Sequence, residues 1–486
     1  MEMHNKNLNE LTIVESLTLL KEGKISSVEL TKACLDQIDK YDNKIKAYIT
    51  VTRDLALEQA QTADAQIQQL GINAWDSQPL LGIPYSCKDN FSTKGIETTA
   101  SSNILKGYIP PYESTVTQKL KDAGAILLGK TNMDAFAHGS STETSDFFTT
   151  KNPWNVSTTP GGSSGGTAAA VAANMCIFGI GSETAGSIRG PAAWCGITGL
   201  KPSYGRVSRY GVIAMASSTD SPGPLAKTAQ DCALIANIIA GKDNLDATTA
   251  DSPVENYLHS TDHYSLKTLK IGIPKQYINI ELEDGVRTKI EDTIAFLKDY
   301  GVTFKELDML DTKYSIAVYT ILQRSEVSSN LARLDGIRYG QTRDSFGTEA
   351  RNRMMLGAYT LSAGYYDAYY AKAQKVRTLI IEDFAKAFKE VDLILAPTMP
   401  NLAPKVGISE SSPLFGELAD VLQEPSSIAG LPAVAVPCGT YNGLPVSIQF
   451  IGPRLSEELV LAAGIEYQKI NTHHLNFPDL ERTTNV

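Results

Sequence analysis

The chain has 486 residues, with 42% hydrophobic and 20% charged residues, a balance that excludes a disordered or fibrous protein. Its net charge of -10 disfavours a surface that binds nucleic acid unaided, because phosphates are held by clustered Lys and Arg. The polar start and the absence of an apolar run of about 20 residues predict a cytoplasmic protein that does not enter a membrane.

The first seventy residues predict a helical subregion, residues 1–70. Ser26 and Glu29 have the spacing of a capping box, so a helix is expected to begin there. Its apolar residues fall on one face at Leu30, Cys34, Leu35 and Ile38. A second helix is predicted from Asp54 to Leu70, with Gly71 closing it.

The rest of the chain alternates between buried strands and helices. Short apolar runs broken by Gly, Ser and Pro are typical of strands and turns, and they dominate from residue 71 to about 240. Further strands are predicted at 269–274, 393–397 and 433–437, and residues 311–390 read as mainly helical. This alternation predicts an α/β sheet covered by helices, and the lack of internal repeats favours one domain over 1–486.

A glycine-rich loop at 159–167 precedes a helix-forming run at 168–173. Glycines allow tight turns, and the helix N-terminus offers free N–H groups, so the loop suits an anion or oxyanion. It lacks both the Walker A and the dinucleotide-binding patterns, but it fits Gly-x-Ser-x-Gly around Ser163 and around Ser164. A nucleophile elbow needs a downstream His, and the candidates are His259, His263, His473 and His474. Their polar or terminal segments give no support to a His triad.

Two further segments carry residues of chemical interest. Residues 181–193 place Ser187 in another Gly-Ser turn before a run of small residues, and residues 82–90 place Lys88 after an apolar, strand-like lead-in. Taken alone, a lysine in such a position is more often solvent-facing than buried.

Together the three segments resemble the amidase signature family, with Lys88, Ser163 and Ser187 matching its Lys, cis-Ser and nucleophilic Ser. The resemblance implies a large twisted mixed β-sheet sandwiched between helices. It also implies that Ser187 attacks a carboxamide while Lys88 takes up the proton through Ser163. An oxyanion hole is expected at Thr184, Ala185 and Gly186. Since lysine acts as a base only when neutral, Lys88 is expected to be buried.

Within the family, the runs at 128–134, 199–208 and 362–370 most resemble the branch that releases ammonia from glutamine. That ammonia serves transamidation of misacylated Glu-tRNA(Gln) and Asp-tRNA(Asn). The resemblance assigns Arg353 to the substrate carboxylate and Asp420 to its ammonium group, with Tyr319 as a further contact, in the helical segment 311–390 and beyond. It also implies companion subunits B and C, the first of which binds the misacylated tRNA. ATP and Mg would be used by that partner, and no cofactor or metal is expected in this chain.

Several positions depart from the family's pattern. Ala185 stands where Gly is usual, Glu183 where Asp is usual, and Gly190 where Gln is common, while Gln323 and Arg324 replace a common Ala-Pro. Ala at position 185 would be strained if the backbone there required a positive φ. Two alternatives therefore stay open: a free-standing amidase of another carboxamide, and a catalytically impaired scaffold subunit.

Overall fold

The computed structural model describes residues 6–260, 263–336, 341–412 and 415–483, and it contains one eleven-stranded mixed β-sheet flanked by helices. The strands are β1 (Tyr48–Val51), β2 (Pro84–Lys88), β3 (Ile126–Thr131), β4 (Phe178–Glu183), β5 (Thr198–Lys201), β6 (Ser221–Ala226), β7 (Lys270–Pro274), β8 (Thr303–Leu307), β9 (Leu393–Pro397), β10 (Ala433–Tyr441) and β11 (Leu444–Ile451).

The helices between them include both long and single-turn elements. They are α1 (Ile13–Lys21), α2 (Ser27–Ile45), α3 (Arg53–Leu70), α4 (Ala74–Ser77), α5 (Thr115–Asp122), α6 (Gly165–Ala172), α7 (Arg189–Cys195), α8 (Ala229–Ile239), α9 (Tyr257–Ser260), α10 (Lys275–Ile278), α11 (Asp284–Tyr300), α12 (Lys313–Leu331), α13 (Thr348–Thr360), α14 (Lys372–Ala387), α15 (Ile408–Ser411), α16 (Phe415–Ala419), α17 (Glu424–Ile428), α18 (Glu457–Lys469) and α19 (Leu480–Thr483).

The predicted capping box is confirmed, because the Ser26 hydroxyl accepts the Glu29 N–H and the Glu29 carboxylate accepts the Ser26 N–H. The helix that ends before Gly71 is also confirmed. The expectation of a wholly helical subregion over 1–70 is wrong at one place. Residues 48–51 form β1, which pairs antiparallel with β3 at the end of the sheet. Its four residues are too short a run to show a period of their own, and their strand conformation depends on the partner strand.

The strand order is β1-β3-β2-β4-β6-β5-β10-β11-β9-β7-β8. Strand β2 lies between β3 and β4 and is parallel to both. The carboxyl ends of β2 and β4 therefore meet at one edge of the sheet. Lys88 ends β2 and Glu183 ends β4, so the segments that follow these two residues are brought together by the topology alone.

Helix α6 packs closely against this part of the sheet because its residues are small. All eight of its residues are buried, and it contacts β2 and β4. Gly166 in its first turn donates a backbone hydrogen bond to the Asn132 carbonyl at 3.1 Å, and any Cβ at position 166 would collide with that carbonyl. Glycine is therefore required for this approach, which sets the position of the loop preceding α6.

The segment 311–390 is mainly helical, as predicted, and its residues 337–340 lie outside the described residues. Helix α12 packs against both α13 and α14. Gly357 lets α13 approach α12 closely, because a Cβ there would collide with the Arg324 carbonyl. Among the described residues, no helix combines the length and apolar character needed to span a membrane.

Candidate active site

Lys88 is fully buried at the end of β2, as predicted. Its Nζ lies 2.7 Å from Ser163 Oγ, 3.0 Å from the Ser182 carbonyl oxygen and 3.1 Å from Ser182 Oγ. The amine is thus held by three oxygens, one of which belongs to the glycine-rich loop.

Burial lowers the pKa of Lys88 to about 7, against the opposing influence of the Asp134, Asp220 and Glu183 carboxylates. Desolvation disfavours the charged form of an amine, whereas nearby anions favour it. A pKa of about 7 leaves a large fraction of the amine neutral at neutral pH, and a neutral amine has a lone pair that accepts a proton.

The loop before α6 places Ser163 beside Lys88. The Gly162–Ser163 peptide bond is cis, which agrees with the cis-Ser implied by the family resemblance. Gly162 packs directly on Asp134, and a Cβ at this position would collide with the Asp134 carboxylate. That carboxylate in turn accepts the Thr142 N–H at 2.9 Å. The loop is therefore fixed by a buried acid on one side and by α6 on the other.

Ser187 lies in the turn between β4 and α7, next to this loop. The Ser164 N–H donates to the Ser187 carbonyl at 3.2 Å, so the two serine segments are in direct contact. The Ser187 hydroxyl makes no hydrogen bond with the described residues, and Ser187 lines a small inner pocket. Its side chain is therefore available to a ligand in that pocket.

The turn that carries Ser187 has free backbone donors. Within the described parts of the chain, the N–H groups of residues 184–187 donate no hydrogen bond. Such unpaired donors are what a developing oxyanion requires. Ala185 is absent from the left-handed residues among those described, so the strain considered for a positive φ does not arise.

A buried ion pair holds this turn in place. The Glu183 carboxylate accepts the N–H groups of Ile188 and Arg189 at 3.1 and 3.0 Å, and the Arg189 Nε at 2.9 Å. The Arg189 guanidinium also donates to the Ala185 carbonyl at 3.0 Å. Glu183 thus caps the first turn of α7, and Arg189 binds the turn from behind.

The three residues assigned to substrate by resemblance lie together around the inner pocket. Arg353, Asp420 and Tyr319 line it along with Ser187. Arg353 donates its Nε to Glu349 at 2.6 Å, and Asp420 accepts the Ser140 hydroxyl at 2.9 Å. Burial raises the pKa of Asp420 to about 8, so its second oxygen, which has no partner among the described residues, favours a cationic ligand.

An outer cavity of about 690 Å³ adjoins the inner pocket and shares Arg353 with it. Its wall carries two ion pairs, Arg353 with Glu349 and Arg324 with Glu417, each at 2.6 Å. Both signs of charge therefore face the approach to Ser187, an arrangement suited to a zwitterion.

Sequence reasoning missed four residues in this region. Ser182 holds Lys88, and Asp220 accepts the Thr184 hydroxyl at 2.7 Å. Glu424 and His138 are buried polar residues whose side chains have no partner among the described residues. Ser182 lies within the second Gly-Ser segment and could have been noticed there. His138 precedes the glycine-rich loop, whereas a nucleophile elbow calls for a histidine after it. In the described portion of the chain, no group of three or more His, Cys, Asp or Glu could hold a metal ion.

A family model described as Amidase matches residues 29–461. The chain belongs to the amidase family. Its relatives include subunits A of glutamyl-tRNA(Gln) amidotransferase from several bacteria. The one from Carboxydothermus hydrogenoformans is 48% identical over 99% of this chain and 100% of its own length.

Solved structures show the same relationship. The corresponding glutamyl-tRNA(Gln) amidotransferase subunit from Thermotoga maritima has a TM-score of 0.82 and 38% identity, covering 98% of each chain. The peptide amidase from Stenotrophomonas maltophilia has a TM-score of 0.80 and 27% identity, covering 95% of this chain and 97% of its own. The predicted α/β fold with a large mixed sheet is thereby confirmed.

Proposed function

We propose that this chain hydrolyses the side-chain amide of glutamine and releases ammonia for the transamidation of misacylated Glu-tRNA(Gln) and Asp-tRNA(Asn). The proposal depends on one observation above all: a buried Lys88 amine lies 2.7 Å from Ser163 Oγ, in a loop that contacts Ser187. Similarity over the full length to glutamyl-tRNA(Gln) amidotransferase subunits supports the choice of glutamine over other amides.

In the proposed mechanism, the Ser187 hydroxyl attacks the amide carbon while its proton passes through Ser163 to the neutral Lys88 amine. The negative charge on the carbonyl oxygen is stabilised by the N–H groups of Thr184, Ala185 and Gly186, and one such donor is worth about 10²–10³ in rate. The same relay then protonates the departing ammonia, and water hydrolyses the resulting glutamyl ester.

Glutamine carries an α-carboxylate and an α-ammonium group as well as the amide. We assign the carboxylate to Arg353, whose planar guanidinium suits bidentate binding, and the ammonium to Asp420. Tyr319 lines the same pocket and would pack against the substrate's methylene groups.

Companion subunits B and C are part of the proposal, and misacylated tRNA is bound through the first of them, in the cytoplasm. An exposed apolar patch on and after α13 supports association with a protein, because large exposed apolar patches mark interaction surfaces. The patch consists of Met355, Leu356, Tyr359, Tyr365 and Tyr366. The net charge of -10 agrees with tRNA binding by another subunit.

The test is ammonia release from glutamine by the complex purified with its companion subunits. We expect Ser187→Ala to lower kcat by at least about 10³-fold, because the nucleophile is removed. The exposed serine variant Ser362→Ala is the matched control and should retain wild-type activity. A wild-type complex that releases no ammonia from glutamine, or a Ser187→Ala complex that remains active, would contradict the proposal.

A further inference from the structure

His138 is a buried histidine on the wall of the outer cavity. It is 1% exposed, and neither ring nitrogen has a hydrogen-bond partner among the described residues. A neutral imidazole carries one N–H donor and one acceptor, and buried polar groups in folded proteins are nearly always paired. A histidine with both groups unpaired beside a cavity therefore points to a ligand that supplies the partner.

The surroundings of His138 keep its ring neutral and limit what it binds. Burial, together with the nearby Arg353 guanidinium, holds the pKa of His138 well below its usual range. The Phe136 ring packs against it, with the ring centroids 6.0 Å apart. The imidazole is thus an uncharged group fixed between an aromatic ring and a cation.

The position of Arg353 indicates which part of the substrate is involved. Arg353 lines both spaces, whereas His138 lines only the outer cavity, and Asp420 lines only the inner pocket with Ser187. A ligand group that reaches His138 is therefore on the side of Arg353 and away from Asp420. The Arg353 Nε is bonded to Glu349, and a carboxylate can accept further donors besides the rest of the guanidinium.

We infer that His138 contacts the substrate directly, its ring N–H donating a hydrogen bond to the carboxylate that Arg353 binds. His138 and Arg353 then form a carboxylate subsite that selects amino-acid amides over amides lacking a carboxylate. This inference rests on the proposed function, since it takes glutamine as the substrate.

The test compares glutamine with 4-aminobutanamide, which has the same amide and ammonium groups but no carboxylate. For the complex carrying His138→Leu, we expect KM for glutamine to rise about 10–100-fold with kcat within about threefold, the range for losing a hydrogen bond to a charged group. Hydrolysis of 4-aminobutanamide should be unchanged, because the lost contact is one that this amide never makes.

Three variants accompany this comparison. His138→Gln keeps an N–H donor and should recover most of the affinity for glutamine, whereas the exposed His263→Gln control should match the wild type. If His138→Leu does not fold, His138→Met carries the same prediction, because a flexible thioether fills irregular space. An unchanged KM for glutamine, or equal losses with both amides, would overturn the inference while the proposed function stands.

Calorimetric binding of glutamate separates the two failures. If the wild-type complex releases no ammonia from glutamine, the proposed function fails, and glutamate binding then decides the inference. Binding that is at least tenfold weaker in His138→Leu than in the wild type would support the carboxylate subsite. Equal binding in both, or no binding to the wild type, would overturn it.

Discussion

Lys88 combines two properties that oppose each other, an amine that water protonates and complete burial. Burial removes the hydration that stabilises its charge, and three carboxylates restore only part of it, so its pKa falls to about 7. Three oxygens around Nζ then fix the amine next to Ser163. A residue that is costly to bury is thereby made into a base at neutral pH.

The pH dependence of catalysis follows from this shift. The neutral amine exists above its pKa, so we expect kcat for glutamine to fall as the pH drops through about 7 and to level off above it. Steady-state ammonia release between about pH 5.5 and 8.5 measures this limb. Lys88→Arg should be inactive throughout, because a guanidinium stays protonated. A flat kcat profile in the wild type would contradict the role of Lys88 as base.

The sequence identified Lys88, Ser163 and Ser187 because each lies in a segment of unusual composition. It did not identify His138 or Asp220, because their importance comes from contacts with distant parts of the chain. Asp220 precedes β6 and reaches Thr184 only because β6 pairs antiparallel with β4. No local pattern records such a pairing.

At the scale of elements, the turn from β4 to α7 depends on the buried pair of Glu183 and Arg189. Both side chains are inaccessible to solvent, and the guanidinium also donates to Ser426, Ser427 and Gln449. The pair therefore ties the turn of Ser187 to α17 and to β11.

Breaking this pair should destabilise the protein strongly. Arg189→Met leaves the Glu183 carboxylate buried without its cation, and we expect a loss of about 3–5 kcal/mol in the free energy of unfolding. Urea denaturation measures it. Arg454→Met, at an exposed position, is the control and should change stability by less than about 0.5 kcal/mol. A loss below about 1 kcal/mol in Arg189→Met would show that the pair does not stabilise the fold.

Long helices with caps could be predicted from the sequence, whereas β1 could not. The helix beginning at Ser27 carries its own start signal and one apolar face. The four residues of β1 form a strand because β3 offers them hydrogen bonds, with Val51 opposite Gly129. Local propensity was sufficient in the first case and insufficient in the second.

At the scale of the molecule, the proposed division of chemistry between subunits predicts a division of cofactor requirements. We expect EDTA to leave ammonia release from glutamine within about twofold of its untreated rate, because general base and nucleophilic catalysis by side chains need no metal. The same treatment should abolish amide transfer to tRNA by the assembled complex, since ATP and Mg are assigned to the companion that binds tRNA. Loss of ammonia release that added Mg restores would contradict this assignment.

The groups proposed to break the amide bond come from residues 88–187, and those proposed to recognise the substrate come from residues 319–420. Inheritance can therefore alter the second stretch while preserving the first. Such independence would let one ancestral hydrolase give rise to descendants with different diets, and the peptide amidase that shares this fold at 27% identity fits that history.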